Sequence, residues 1–226
     1  MQVIYEDNHI IIVNKQSGEI VQGDKTGDRP LSDIVKDYIK EKYHKPGEVF
    51  LGVVHRLDRP VSGLVVFART SKALARLNKM FAEGQVHKTY WAIVEKSNLK
   101  DERCDQEITH WLTRNEQQNK SYAYDHEVPH SKKAMLRYRM LSQGDRYALL
   151  EVQLMTGRHH QIRCQLSAIG CPIKGDLKYG ARRSNPDGSI SLQSHRVEFE
   201  HPVSHETIVA EAPLPDDPLW QKLLHM

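Results

Sequence analysis

The residues of this chain best placed to do chemistry lie in one run, His55-Arg56-Leu57-Asp58-Arg59-Pro60-Val61-Ser62-Gly63. A single carboxylate, Asp58, stands between two arginines and just ahead of an apolar, β-rich segment. Positive charge within a few ångströms favours the ionised form of an acid. A carboxylate kept charged where a loop enters a buried strand is suited to act as a nucleophile. The same residues also read as a surface Arg–Asp pair worth about 0–1 kcal/mol. From this segment alone both readings stay open.

A second run, Thr156-Gly157-Arg158-His159-His160-Gln161-Ile162-Arg163, reads as the end of a strand, a turn and the start of a helix. Thr156 is expected to cap that helix, with Ile162, Leu166 and Ile169 as its buried stripe. Helix N-termini attract anions through unpaired N–H groups and the macrodipole. Arg163 lies about 100° round from Ile162, so it can face a pocket while Ile162 packs inward. A solvent-facing helix arginine is the alternative. For His159 and His160 it is capping or an interior hydrogen bond.

Elements must position these groups. Two short strands are expected over residues 3–14, broken at Glu6-Asp7-Asn8, then a Gly-rich loop over 16–30. Pro30 suits the start of a helix carrying Leu31, Ile34, Val35 and Tyr38. A strand over 61–68 is followed by a helix from Ser71 to about Glu83, with Ser71 as cap and Gly84 as terminator. A strand follows over 88–94. Residues 101–133 are polar and weakly periodic, and read as a mobile excursion with short strands. A hairpin over 136–155 and two strands within 191–212 complete the pattern. Strands outnumber helices without strict alternation, so the fold class is α+β with a mixed, mostly antiparallel sheet.

Composition sets the bounds. The 226 residues suit a single domain spanning 1–226, with 39% hydrophobic and 27% charged residues and a net charge of +3. No stretch approaches the roughly 20 apolar residues of a membrane span, and no secretion signal is read at the N-terminus. Three cysteines (Cys104, Cys164 and Cys171) without a CxxC pair fit a reduced, cytoplasmic setting. No metal is expected, because His159-His160 and His201-x3-His205 lack partners at ligand spacing. Gly18 to Thr26 is superficially similar to a phosphate-binding loop, but Asp24 stands where the lysine belongs. Residues 158–183 carry Arg158, Arg163, Lys174, Lys178, Arg182 and Arg183 against one acid, Asp176. Such a basic stretch suits phosphate contacts, or is simply a solvated charged face.

Taken together, the runs at 55–63, 88–94 (Lys-Thr-Tyr-Trp-Ala-Ile-Val), 156–163 and 170–180 resemble the ordered motifs of the RluA family of pseudouridine synthases. Residues 7–15 and His201-Pro202-Val203 fit the same order, so the resemblance covers nearly the whole chain. It implies a pseudouridine synthase fold with a catalytic cleft and an isomerase that converts uridine in ribosomal or transfer RNA to pseudouridine. Asp58 would be the catalytic aspartate, Tyr90 would stack on the base, and Arg163 would pair with the aspartate. Arg56 would contact RNA beside the extruded nucleotide, and His55, Arg158, His159, Lys174, Lys178 and Arg182 are the further expected RNA-binding residues. The reaction exchanges bonds within one nucleotide, so no cofactor is expected. A monomer without an S4-type RNA-binding domain is the default. Gln16-Ser17 departs from the usual Pro-Ala, and Val61 replaces a frequent threonine. Two competing readings are a non-catalytic RNA-binding or RNA-folding module and a glycosidic hydrolase. The second lacks a nearby partner acid.

Overall fold

In the computed structural model residues 1–96 and 105–226 are described, and they form two compact units. Cys104 lies outside the described residues.

The first unit comprises residues 1–88 and 194–213. Strands β1 (Gln2–Glu6) and β2 (Ile10–Lys15) pair antiparallel around a turn in which Asp7 accepts the N–H groups of His9 and Ile10. Helix α1 is Leu31–Lys42, β3 is Gly52–Val53, β4 is Ser62–Ala68 and helix α2 is Ser71–Ala82. The sheet order is β1-β2-β4, then β10 (Leu192–Glu200), with β11 (Thr207–Glu211) on β10 and β3 on β4. All six residues of β2 are buried, as are Gly63–Ala68 of β4. Burial on both faces explains why these strands read as continuous apolar runs. Ala73 and Leu77 of α2 pack with Ile10, Ile12, Leu64 and Val66. The cap of α2 is Thr70 rather than the expected Ser71; its hydroxyl accepts the Ala73 N–H at 3.1 Å.

The second unit comprises residues 89–193 and 214–226. Its strands are β5 (His87–Glu95, from Thr89 on), β6 (Gln106–Asn115), β7 (Lys120–Tyr124), β8 (Lys132–Gln143) and β9 (Tyr147–Leu154), in the antiparallel order β5-β9-β8-β6-β7. Helix α3 is Gln161–Ala168, a 3-10 turn spans Leu177–Tyr179, and α4 is Pro218–Leu224. The polar stretch read as a mobile excursion is corrected: from residue 106 it forms the ten-residue β6 and β7, and 101–104 lie outside the described residues. Its hydropathy signal is weak because β6 buries a polar inner residue, His110, against Gln165 (3.3 Å) beside Leu112. Helix α4 also escaped the sequence, although Asp217 and Pro218 carry a legible cap and first-turn signal. Trp220 and Leu223 of α4 pack on Ile93 and Leu149. No described helix is long and apolar enough to cross a membrane.

Candidate active site

In the first unit, Asp58 sits half-buried on the loop between β3 and β4, and its carbonyl accepts the Val61 N–H at 3.0 Å to close a tight turn. Beneath this turn lies Lys15, the last residue of β2, fully buried. Its ammonium donates to the carbonyls of Val61 (2.6 Å), Gln16 (2.9 Å) and Arg59 (3.1 Å). Gly18 N–H donates to the Arg59 carbonyl as well, at 2.9 Å. Burial pushes the Lys15 pKa down to about 8, while Glu19 and Asp58 favour its charged form. The expectation that both arginines flank the acid electrostatically is corrected at Arg59. Its guanidinium turns to Asp28 (2.6 Å), Thr26 (2.8 Å) and Asp24 (3.6 Å), tying down the 24–28 loop. Arg56 is exposed.

His55 is turned inward: its Nε2 accepts the Val66 N–H at 2.9 Å and its ring stacks on Phe81. Burial first, and then the charge of Lys88, push its pKa down to about 3. It is a neutral brace for the loop. Gly63, at the entry to β4, has φ +110, and a Cβ there would collide with the Ser194 backbone of β10. Only glycine lets β4 approach this closely.

In the second unit, Tyr90 is buried (7% exposed) on β5, opposite Val152 of β9. The turn before α3 is closed by Gln161. Its Oε1 accepts the Arg158 N–H (2.9 Å) and the Thr156 hydroxyl (2.8 Å), and its Nε2 donates to the Met135 carbonyl (3.0 Å). Thr156 is therefore not the helix cap. His160 holds that position in the left-handed region, with φ 51. Nor is α3 buried along one stripe, since every residue from Gln161 to Leu166 is buried and Ile169 is half-buried.

This burial removes the reading of Arg163 as a solvent-facing arginine. Its Nε and Nη2 donate to the two carboxylate oxygens of Asp176 at 2.7 and 2.9 Å, with both side chains almost fully buried. Bidentate geometry fixes the guanidinium plane as well as its position. Tyr179 lies 5.1 Å from the Arg163 guanidinium, accepts the Ser121 N–H at 2.8 Å and bonds His160 Nδ1 at 2.9 Å. Burial, the largest cause, pushes its phenol up to about 12, so it stays protonated. Asp176, the lone acid of the basic stretch, is a residue that sequence reading noted without giving it a role. An isolated acid among six cations is the signal that could have marked it as a buried partner.

Of the remaining expected RNA-contacting residues, His159 and Lys178 both reach Asn119. His159 bonds Ser121 (2.9 Å) and Asn119 (3.1 Å) and stacks on His160. Lys174 is held by Asn185 at 2.6 Å. Arg158, Lys178 and Arg182 are exposed, the last with 87% of its side chain in solvent. With Arg163 neutralised and Lys174 held, the solvent-facing part of the basic stretch reduces to Arg158, Lys178, Arg182 and Arg183. Burial raises the Cys164 pKa to about 11, making it an inert thiol. No group of three or more potential metal ligands occurs among the described residues.

The fold is the α+β fold of the human RNA Pseudouridylate Synthase Domain Containing 4, on which the chain superposes with a TM-score of 0.77 at 22% identity, covering 95% of this chain and 89% of that one. The family described as RNA pseudouridylate synthase matches residues 9–168, and the chain belongs to it. Its members are isomerases that convert uridine to pseudouridine in RNA. The chain is 32% identical to the Bacillus subtilis uncharacterized RNA pseudouridine synthase YhcT over 96% of its length and 70% of the relative. It is 30% identical to the Xanthomonas campestris ribosomal large subunit pseudouridine synthase D, over 96% and 67%. Against the Vibrio cholerae tRNA pseudouridine synthase C it is 29% identical over 99% and 94%.

Proposed function

We propose that both units form one catalytic domain, which isomerises uridine in ribosomal or transfer RNA with Asp58, Tyr90 and Arg163 serving the same nucleotide. The observation that carries the role assignment is the buried, bidentate Arg163–Asp176 pair. A cation this deeply placed costs several kcal/mol of desolvation, so it is retained for a purpose that a surface arginine could not serve. Asp176 fixes the plane in which this guanidinium meets its other partners. Family membership over residues 9–168 takes in all three residues and supports the assignment.

In this reading the N1–C1′ bond of the uridine breaks, the base turns, and C5 bonds to C1′ while the C5 proton leaves to solvent and N1 takes up a proton in its place. The ionised Asp58 either adds covalently or removes the 2′ proton to give a glycal. Tyr90 stacks on the base, and Arg163 pairs with the aspartate. A uridine inside folded RNA must be flipped out at a cost of a few kcal/mol, offset by phosphate contacts from Arg56, Arg158, Lys178 and Arg182. A cytoplasmic monomer fits this role. Relatives named for ribosomal and for transfer RNA support both substrate classes equally.

Asp58→Asn tests the reading. Tritium release from 5-tritiated uridine in total RNA should vanish, with RNA affinity kept within about twofold. Release near the wild-type rate would remove Asp58 from the chemistry.

A further inference from the structure

We propose that the outer face of the β6–β7–β8 sheet is a stacking platform for single-stranded RNA. The inference rests on the RNA-modifying role above and extends it to a surface that no catalytic assignment uses.

The register defines the platform. Tyr124, Trp111 and Lys133 form one row across β7, β6 and β8, and Tyr122 stands in the next row opposite Thr113. The other face of the same strands is spent on the core, where Leu112, Ala123 and Ala134 pack with Cys164. Tyr122 and Tyr124 are each 38% exposed, and Trp111 is half-buried beside them. Residues two apart on a strand share a face about 7 Å apart, so each ring offers a separate surface to a base. Base–aromatic stacking tolerates any sequence, because every base has a π-face.

The charges around the rings suit a polyanion. Lys120 Nζ lies 5.5 Å from the Tyr122 ring centroid. Lys178 donates to the carbonyls of Gln118 (3.3 Å) and Asn119 (3.1 Å) in the β6–β7 turn, and Arg158 Nε donates to the Lys133 carbonyl at 3.1 Å. With Lys133 these make four cations. Facing them are Glu116 in the turn and Asp125, which lies 3.5 Å from His110.

β7 is the edge of this sheet, and an exposed edge also invites another strand. Here that route is obstructed at Ser121, whose N–H goes to the Tyr179 hydroxyl and whose carbonyl accepts from Cys164 Sγ at 3.3 Å. The side-chain face is what remains for a partner.

The test compares the full-length wild type with Tyr122→Ala/Tyr124→Ala for binding of a labelled 12-residue oligouridylate and of an RNA duplex of equal length. Thermal unfolding checks that both proteins are folded. Single-strand affinity should fall roughly thirtyfold, duplex affinity should hold, and the salt slope should be unchanged. In Lys120→Ala/Lys178→Ala the slope should flatten. Equal affinity of the two proteins for the oligonucleotide, equal loss on the duplex, no single-strand binding by the wild type, or a wild-type dimer abolished by the tyrosine substitutions would each overturn the platform. Tritium release from total RNA is read separately. Its absence in the wild type, with the single-strand effect intact, would defeat the isomerase role and leave the platform standing.

Discussion

Lys15 is a charged residue placed where charge is costly, and its pKa states that cost as a pH dependence. Its folded pKa of about 8 lies below the ordinary 10.5, so between these values the unfolded chain binds more protons. Stability supplied by Lys15 is then present above pH 10.5 and lost as pH falls through 8. Relative to Lys15→Met, the wild type should gain about 3 kcal/mol between pH 8 and pH 10.5, measured by denaturant titration at each pH. A flat difference would mean the ammonium is better solvated than its three carbonyl contacts imply. Asp176 gives a sharper case. Asp176→Ala removes the bidentate carboxylate from a buried guanidinium, and should cost about 3–5 kcal/mol in unfolding experiments. Asp58 and Arg163 could be picked out in the sequence because a carboxylate between arginines and a basic helix start are local patterns. Lys15 and Asp176 could not, because their roles come from contacts with residues 44 to 46 and 13 positions away. The bond of His55 to Val66, eleven residues on, was hidden in the sequence for the same reason.

Among the elements, β4 and α3 carry the functional loops, and each is held by one unusual residue. Gly63→Ala adds a methyl group where the Ser194 backbone already sits, at a φ of +110. It should cost more than about 2 kcal/mol and lower Tm by several degrees, whereas Gly18→Ala, with nothing within 4 Å, should cost only its left-handed φ. Gln161 is the counterpart at α3, since its amide joins Thr156, Arg158 and Met135. Gln161→Ala should lower tritium release at least tenfold with RNA affinity little changed, because the turn orienting Arg163 loses three hydrogen bonds. The apolar runs of β2 and β4 and the 3.6-residue spacing of α1 and α2 made these elements legible. The caps of α2 and α3 were misplaced by one and four residues. Several residues near a helix start have cap chemistry, and tertiary contacts choose among them: Met135 claims Thr156, leaving His160 at the end.

For the molecule as a whole, association with RNA should be governed by exposed cations rather than by net charge, which is only +3. Arg182→Ala removes a side chain that is 87% exposed. It should reduce the slope of log affinity against log salt by about 0.7–0.9, with turnover of bound RNA unchanged. An unaltered slope would take Arg182 out of the RNA footprint.

The first unit is built from two stretches of chain, 1–88 and 194–213. On the ribosome this imposes an order of events. β4 is finished at Ala68, yet its neighbour β10 ends at Glu200, roughly 130 residues later. At about 5–20 residues per second this is a wait of roughly 7–26 seconds. Over that interval a largely apolar strand has one flank covered only by the two residues of β3, at Phe67 and Ala68, while nearly all of the second unit emerges. The nascent chain should therefore depend on chaperones that shield hydrophobic strands. Truncation just before Ser194 should yield a product that aggregates through its N-terminal third.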